Sequence, residues 1–575
     1  MLQIRCKNNN VTKSFPEGTS LLDVYQEFAD EIHLPYPVVS AKVNNTSEGL
    51  KFRLYQNRDV EFLDAREGSG HRVYVRSLSF LLYKATQDVF PGSKLFIEHS
   101  LSRGFYCNFK PTPNPSRGEG RLVTDETVAK IKARMQEIVS LDMPFRRTEA
   151  TTEEAIRVFT ERGFQDKVKL LETSGQIYSD YYTLGDTVDY YYGPLVPSAG
   201  YLQVWDLERY EEGMLLRVPD WNNPSKVAEK VAQPKTFEMF AEKTRWDIIM
   251  RLSNAGDVNK AIMRGYASEL IQVSEALQEK KIVQIAEEID RRFHRTPLSS
   301  PLEGGNEGGV RIVLITGPSS SGKTTFCKRL SVQLLACGLR PVSFSTDDYF
   351  VNRVDTPKLP NGDYDFDNIE TVDYHLMEDH LTRLMAGERV EIPEYNFVTG
   401  KREMNGKKLK LGSDTVLIIE GIHALNPLLT KKLPDSLKYK IYISALTSIS
   451  IDDHNWIPVR DNRLLRRIIR DYNKGAYTAQ QTIAQWKNVC EAEDQWIFPY
   501  QETADVMFNS ALNIEFAVLR THAEIILASV PKNCPEYSEA HRLLKFLRFF
   551  LPVSDKEIPP TSIMREFVGG SSFKY

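Results

Sequence analysis

The C-terminal half of the chain alternates short runs of aliphatic residues with amphipathic stretches. Unbroken aliphatic runs are typical of buried strands, because both faces of such strands are covered. Residues 325–336 have the period of an amphipathic helix, which Gly338 ends. The runs predict four strands, at 310–315, 341–345, 415–419 and 438–443. Strands that alternate with helices predict a mostly parallel sheet with helices on both faces, the α/β class.

The N-terminal half has a mixed pattern, which predicts α+β domains. Residues 1–65 alternate as short strands around one helix at 20–32, and residues 120–170 and 225–295 have a helical period. Between the halves, residues 296–309 are rich in Pro, Ser and Gly, which indicates a linker. The hydrophobic pattern therefore predicts a multidomain chain.

Composition narrows the class of protein. The 575 residues are 41% hydrophobic and 26% charged, as in ordinary globular proteins. No apolar run approaches the ~20 residues of a membrane helix, and we expect neither a signal peptide nor a membrane partner. The six cysteines lie far apart, which indicates reduced thiols in a cytoplasmic protein. The net charge of −4 argues against a polyanion-binding surface over the whole chain.

A phosphate-binding loop is the most specific motif. Residues 317–324 fit G-x-x-x-x-G-K-[ST] and lie between a predicted buried strand and a helix. The glycines let backbone N–H groups point at phosphates, and the helix adds its positive end. Lys323 is expected to neutralise the β- and γ-phosphates, and Thr324 to bind Mg²⁺. The predicted ATP-binding residues are Gly317, Pro318, Ser319, Ser320, Ser321, Gly322, Lys323, Thr324 and Thr325.

Acidic residues follow two predicted strands at the carboxyl edge of the sheet, where such sheets bind ligands. Asp347 and Asp348 follow the strand at 341–345, and Glu420 directly follows the strand at 415–419. A carboxylate at this edge completes the metal site or activates the acceptor. The pattern alone leaves open which residue does which.

An arginine-rich segment follows the fourth strand. Arg463, Arg466, Arg467 and Arg470 are spaced i, i+3, i+4 and i+7, which places them on one face of a helix. The leucines and isoleucines between them form the packed face. Downstream of a phosphate loop, we expect the arginine face to clamp phosphates during transfer.

Together these motifs make residues 310–515 resemble the uridine kinase and phosphoribulokinase family of P-loop kinases. Four further segments carry the resemblance: 345–350, 364–367, 390–397 and 418–421. The resemblance implies that Asp347 takes the proton from the ribose 5′-hydroxyl and that Glu420 joins Thr324 at Mg²⁺. The other catalytic residues expected are Lys323, Arg463 and Arg466.

The resemblance also implies a nucleoside pocket. Asp367 matches the carboxylate that holds the ribose hydroxyls, and Tyr395 lies where the family holds the nucleobase. Uridine–cytidine kinases place a base-reading His at the position of Gly400, and usually an Arg in place of Ala476. A lost donor weakens discrimination between bases, which leaves open a purine nucleoside or a broad pocket. The predicted substrate-binding residues are Asp367, Tyr349, Tyr395, Arg467 and Arg470.

The N-terminal half resembles threonyl-tRNA synthetases. Residues 15–24 and 41–44 match their TGS domain, and residues 77–85, 104–109 and 193–200 match their editing domain. At the positions of the family's metal ligands this chain has Arg76, Phe80, Tyr191 and Leu195. Neither zinc nor deacylation is therefore expected, because these side chains bind no metal.

The resemblances define six predicted segments. They are a small β-grasp-like TGS domain at 1–66, a degenerate α+β editing-like domain at 67–215, a helical connector at 216–295, the linker at 296–309, the α/β kinase domain at 310–515 and a C-terminal helical extension at 516–575.

We expect an ATP- and Mg²⁺-dependent nucleoside 5′-kinase, uridine- or cytidine-like. The rivals are a regulatory or RNA- and ribosome-contacting protein with a nucleotide-switch domain, and a kinase of another sugar alcohol. Asp347 and Asp367 favour a kinase, because a switch needs no acceptor-binding carboxylate. The N-terminal half is open to self-association or scaffolding, small-ligand regulation, or RNA contact. Its residues 1–200 hold 25 Lys and Arg against 26 Asp and Glu, so tRNA or RNA contact is not favoured.

Overall fold

The computed structural model describes residues 1–110, 123–294, 309–360 and 362–574. Except for Gly309, the predicted linker at 296–309 lies outside the described residues. Within the described residues, no helix combines the length and the apolar composition that a membrane-spanning segment requires. The chain is a multidomain α+β and α/β protein.

The first unit is a five-stranded sheet that packs against one helix. Its strand order is β2-β1-β7-β4-β5, and β3 pairs with β6 beside it. The elements are β1 (Leu2–Cys6), β2 (Val11–Phe15), β3 (Thr19–Ser20), α1 (Leu21–Phe28), β4 (Ser40–Val43), β5 (Thr46–Glu48), β6 (Arg53–Leu54) and β7 (Arg58–Leu63). The helix predicted at 20–32 ends early, at Phe28, and a 3₁₀ turn follows it.

The second unit has two antiparallel sheets around a long buried helix, α2. The sheet orders are β10-β11-β12 and β13-β14-β9-β8. The elements are α2 (Gly68–Val89), β8 (Lys94–Leu101), β9 (Gly104–Lys110), α3 (Asp125–Ser140), β10 (Phe145–Thr151), α4 (Thr152–Glu161), α5 (Gln165–Ser174), β11 (Tyr178–Leu184), β12 (Thr187–Asp189), β13 (Asp206–Tyr210) and β14 (Gly213–Arg217).

One expectation for this unit is wrong. The region predicted as helical at 120–170 contains the strand β10, whose residues pair with β11. A seven-residue strand between helices is hidden from a long periodicity window, because its pairing partner lies about 30 residues further along. Three helices follow the unit: α6 (Pro234–Met250), α7 (Ala255–Met263) and α8 (Ala267–Phe293).

The C-terminal half is built on a parallel sheet of order β16-β21-β15-β22-β23. Its elements are β15 (Ile312–Thr316), α9 (Lys323–Ala336), β16 (Arg340–Ser345), α10 (Tyr374–Met385), β17 (Val390–Glu391), β18 (Glu394–Asn396), β19 (Lys401–Glu403), β20 (Lys408–Leu409), β21 (Thr415–Glu420), β22 (Lys438–Ser444), α11 (Val459–Asn473), α12 (Ala479–Trp496), β23 (Val506–Asn509), α13 (Glu515–Ala528), α14 (Tyr537–Leu547) and α15 (Arg565–Val568). The parallel sheet is as predicted, but the short edge strand β23 was not foreseen.

Hydrophobic clusters cover both faces of this sheet. Alternate residues of β15 point to opposite faces, as strand geometry requires. Ile312 and Leu314 pack with α10, whereas Val313 and Ile315 pack with α8 and α9. A further cluster contains residues of α5 and α7 together with α11 and α14, so the two halves share one core. The nucleotide-loop half is therefore held against the N-terminal half by buried apolar surface.

Candidate active site

The predicted phosphate loop lies at the carboxyl end of the central strand β15 and leads into α9. Gly322 is the residue before α9, and its φ of 88° is in the left-handed region that glycine adopts at little cost. A Cβ at this position would lie 2.4 Å from Cγ2 of Ile563, a residue of the C-terminal segment. Both the loop conformation and this close contact therefore require glycine.

Lys323 and Thr324 begin α9 and face the loop and the neighbouring strand end. Lys323 Nζ donates to the carbonyl oxygens of Gly317, at 2.9 Å, and Pro318, at 3.1 Å. Thr324 Oγ1 donates to Oε1 of Glu420 at 3.3 Å. Burial lowers the pKa of Lys323, while nearby carboxylates oppose the shift. A partly buried ammonium beside a hydroxyl–carboxylate pair suits a phosphate chain and a hard cation.

The two candidate carboxylates meet because β16 and β21 are adjacent parallel strands. Ser345, at the end of β16, is paired in register with Glu420 at the end of β21. Burial raises the pKa of Asp347 to about 6 and that of Glu420 to about 7, and Lys323 partly offsets both shifts. Asp348 has a different task, because its carboxylate accepts the Ser345 N–H at 3.0 Å. Of the two aspartates, Asp347 is thus the one facing the lysine.

The residues expected to bind the acceptor differ in their surroundings. Burial raises the pKa of Asp367 to about 6, and Arg467 opposes the shift. The ring of Tyr395 packs against Phe397, and within the described chain its buried hydroxyl has no hydrogen-bond partner. Tyr349 is fully buried and its hydroxyl lies 3.2 Å from Nδ1 of His380. Contact between these three residues and a substrate stays a prediction.

Two of the four arginines do not form an open face. Arg463 Nη2 lies 2.7 Å from Glu493 Oε2 and Arg466 Nη2 lies 2.8 Å from Glu515 Oε2, and both arginines are buried. The same guanidinium groups donate to carbonyl oxygens of Ser319 and Ser320 in the loop. Carboxylates from α12 and α13 therefore cover half of the predicted arginine face.

The other two arginines lie nearer the surface. Arg467 Nη1 donates to Oγ of Ser319 at 3.1 Å, and Arg470 Nη2 lies 3.1 Å from Asp471 Oδ1. Arg467 therefore touches the loop, whereas Arg470 pairs within its own helix. A catalytic or substrate-binding role for the four arginines stays a prediction.

Two glutamates at the loop escaped the sequence analysis. Glu493 Oε1 accepts the Ser319 N–H at 2.9 Å. Glu566 Oε2 accepts the Thr325 N–H at 3.2 Å and the Thr325 hydroxyl at 2.6 Å. Glu566 thereby occupies a donor of the first turn of α9, where anions bind favourably. No local pattern marks either residue, because each reaches the loop from more than 150 residues away in the sequence.

The positions of the synthetase metal ligands are filled by core side chains. The rings of Phe80 and Tyr191 lie 5.5 Å apart, and Leu195 is buried in the same hydrophobic cluster. Arg76 Nη1 donates to the carbonyl oxygen of Pro194 at 2.9 Å, and burial lowers its pKa. These side chains supply no metal donor set, and the absence of zinc in the purified protein stays a prediction.

Comparison with known proteins agrees with the two resemblances. The sequence model of the phosphoribulokinase / uridine kinase family matches residues 312–515. A uridine kinase of Mycoplasma genitalium is 30% identical over 184 residues, which are 32% of this chain and 76% of that protein. The structure of a possible uridine kinase from Bacillus stearothermophilus is 18% identical, with a TM-score of 0.26, over 39% of this chain and 97% of that one.

The N-terminal half matches a different group of proteins. A threonine–tRNA ligase of Carboxydothermus hydrogenoformans is 29% identical over 208 residues, which are 36% of this chain. The match spans 31% of the length of the ligase. The kinase match covers most of its relative, and with the loop, strand order and strand-end carboxylates it shows that this chain belongs to the phosphoribulokinase / uridine kinase family.

Proposed function

We propose that the chain transfers the γ-phosphoryl group of ATP to the 5′-hydroxyl of a nucleoside, giving a nucleoside monophosphate. The observation that carries the proposal is the partly buried carboxylate of Asp347, which follows a strand end, interacts electrostatically with Lys323 and is separate from the Thr324–Glu420 pair. A nucleotide switch needs the Thr324–Glu420 pair to hold its metal ion, but it does not need the carboxylate of Asp347. The relatives named uridine kinase support the choice of a nucleoside acceptor.

Each group at this edge has a task in such a transfer. Asp347 accepts the proton of the attacking hydroxyl, and its pKa of about 6 keeps it ionised at neutral pH. Lys323 stabilises the charge that develops on the transferred phosphoryl group. Glu420 and Thr324 supply the oxygens that would hold Mg²⁺. When bound, Mg²⁺ neutralises phosphate charge.

We expect Asp347→Asn to lower kcat by about 10²–10⁴-fold, the usual contribution of a general base. The affinity for ATP should change little, because an amide keeps the shape of the side chain. Asp348→Asn is the matched control, since asparagine still caps the 3₁₀ turn after β16. Steady-state kinetics and ATP titration measure both effects. Loss of ATP affinity with an unchanged kcat would instead assign Asp347 to the metal.

The nucleobase pocket has an unusual wall at Gly400. This glycine has a φ of 68°, and a Cβ there would lie 2.9 Å from side-chain atoms of Arg353. A base-reading histidine therefore does not fit at this position. Of the nearby alternatives, Arg402 is engaged with Asp373 at 2.9 Å. Gly400 therefore supplies no side-chain donor to a base edge, and we expect Asp367 and Tyr395 to bind the ribose and the ring.

We expect discrimination among sugars to exceed discrimination among bases. Tyr395 stacks on any base, since every base has a π-face, whereas Asp367 needs ribose hydroxyls. An ADP-release assay over the common ribonucleosides, their 2′-deoxy forms and other sugar alcohols measures this and tests the proposed function. The expectation would be contradicted if one base were preferred by about 10³-fold while deoxyuridine and uridine reacted alike. So strong a preference is typical of a site that hydrogen-bonds the base, since losing such a bond costs about 10⁴–10⁵-fold. Activity on none of the nucleosides would overturn the function.

We expect Glu566→Gln to lower the apparent KM for ATP. The carboxylate occupies the Thr325 N–H, so phosphate must compete with a fixed negative charge. Glutamine still accepts the hydrogen bond, which preserves the fold while removing the charge. A roughly threefold decrease, about 0.6 kcal/mol, is expected. Glu557→Gln, in the same C-terminal segment, is the control; an increased KM in Glu566→Gln alone would show that the charge assists binding.

A further inference from the structure

A cavity of about 440 Å³ lies where the first unit, the second unit and helix α14 meet. The first unit contributes Glu48 and Lys51, the second contributes Arg147 and Asp180, and α14 with the residue after it contributes Lys545 and Arg548. Its volume is within the range of small-molecule sites. The cavity is on the N-terminal half, apart from the phosphate loop, and the proposed reaction does not use it.

Aromatic rings form one wall of this cavity. Phe549, next to the end of α14, makes edge contacts with Tyr190 and Tyr192, at ring distances of 6.4 and 5.7 Å. Tyr178 and Tyr182 also line the cavity, and the ring of Tyr178 is exposed. Several tyrosines around a concave site provide flat apolar surface for a planar ring.

The charged groups of the cavity favour an anion. Arg147 Nη2 lies 2.6 Å from Asp180 Oδ2, and among the described residues neither Lys545 nor Arg548 forms a salt bridge. Four cationic side chains thus line the cavity together with two carboxylates, and burial raises the pKa of one of these, Glu48. The buried Oδ1 of Asp180 has no hydrogen-bond partner in the described chain, so it is available to a hydroxyl or amino donor.

We propose that this cavity binds a free nucleotide, with its base against the tyrosines and its phosphate near Lys545 and Arg548. The tyrosine wall suits a planar ring, Asp180 suits a hydrogen-bond donor, and the cationic side chains suit an anion. A nucleotide combines all three features. The cavity has about the size of one nucleotide, and the net charge of −1 over residues 1–200 does not favour binding of a polynucleotide. A single free nucleotide therefore fits better than a polynucleotide.

Helix α14 connects this cavity with the phosphate loop. Arg542, one turn before Lys545, pairs with Asp461 of α11 through two hydrogen bonds of 2.6 and 2.8 Å. Five residues further along α11, Arg466 donates to the loop carbonyl of Ser320. A continuous chain of contacts therefore runs from the cavity through α14 and α11 to the loop. Such a chain is the physical condition for a nucleotide that shifts α14 to affect the loop.

Lysine acetylation read by peptide mass spectrometry tests the proposal at the cavity itself. Lys545 is acetylated in the full-length protein with and without UMP, CMP, AMP and GMP, and Lys556 is the exposed control. At a concentration of ten times Kd, a bound nucleotide leaves about a tenth of the sites free, so the Lys545 rate should fall by about tenfold. Arg548→Glu should abolish the protection, and the Lys556 rate should not change.

Several outcomes would overturn the proposal. If no nucleotide slows the acetylation of Lys545, the cavity does not bind a nucleotide. Equal protection by inorganic phosphate shows an anion site without base recognition, and protection by an RNA 3′ end but by no free nucleotide shows an RNA site. Because acetylation reports on Lys545 directly, the result does not depend on whether the chain phosphorylates nucleosides.

Discussion

Lys323→Ala should lower kcat by roughly 10²-fold or more while the protein remains folded. The ammonium stabilises charge that develops on the transferred phosphoryl group, and loss of one such group commonly costs ~10²–10³-fold. In the structure, Lys323 Nζ donates to two loop carbonyls and interacts electrostatically with the carboxylates Asp347 and Glu420. We therefore expect its removal to leave the loop backbone intact but to deprive two partly buried acids of their cation.

The measurement is kcat with saturating ATP and nucleoside, together with the melting temperature. Lys487→Ala is the control, because this lysine is exposed on α12 and pairs with Glu491 of the same helix. Comparable activity in Lys323→Ala and the parent would defeat the assignment of the phosphate loop as a catalytic site. A large fall in melting temperature would show that the lysine is needed for folding, and Lys323→Met would then separate the two effects.

Lys167→Met should destabilise the protein by about 3–5 kcal/mol, the usual cost of leaving buried charge unpaired. Lys167 is fully buried, and its Nζ lies 3.1 Å from Asp189, 3.3 Å from Asp452 and 3.4 Å from Asp166. Burial opposes its charge, but these carboxylates hold the pKa of Lys167 well above its usual value. Methionine fills the space and supplies no charge, so three carboxylates would lose their common cation.

This cluster joins the two halves of the chain. Asp452 and His454 belong to the loop before α11, and His454 Nδ1 lies 2.8 Å from Oδ2 of Asp189 in the second unit. The loss of Lys167 should therefore loosen the loop that precedes the arginine helix. Denaturant unfolding measures the stability, and the control is Lys169→Met, whose partially exposed pair with Asp257 should contribute at most ~1 kcal/mol. Equal effects of the two substitutions would contradict the prediction.

The parts of the site that depend on neighbouring residues were predictable. A buried strand, a glycine-rich loop and a helix follow one another within 30 residues, so the position of Lys323 and Thr324 follows from local pattern. Likewise, acids directly after two parallel strands must meet at the carboxyl edge, which brought Asp347 and Glu420 together. The replacement of the metal ligands in the N-terminal half could also be recognised from the sequence, because the residue types at those positions are visible without a structure.

What remained hidden depends on contacts between distant segments. The sequence pattern does not distinguish Asp347 from Asp348. In the structure, the turn after β16 lets Asp348 accept the Ser345 N–H and places Asp347 near Lys323. Helical spacing placed four arginines on one face, but it does not reveal that Glu493 and Glu515 arrive to bury two of them.

The sequence by itself determined the fold class, the family and the phosphate loop, because these rest on periodicity and on motifs of a few residues. The tertiary structure alone decided which groups surround the loop, how Glu566 reaches Thr325, and where three units enclose a cavity. The physical reason is that burial, pairing and pKa shifts arise between side chains that are often more than a hundred residues apart. Such pairs leave no periodic trace in the sequence, so only the folded chain shows them.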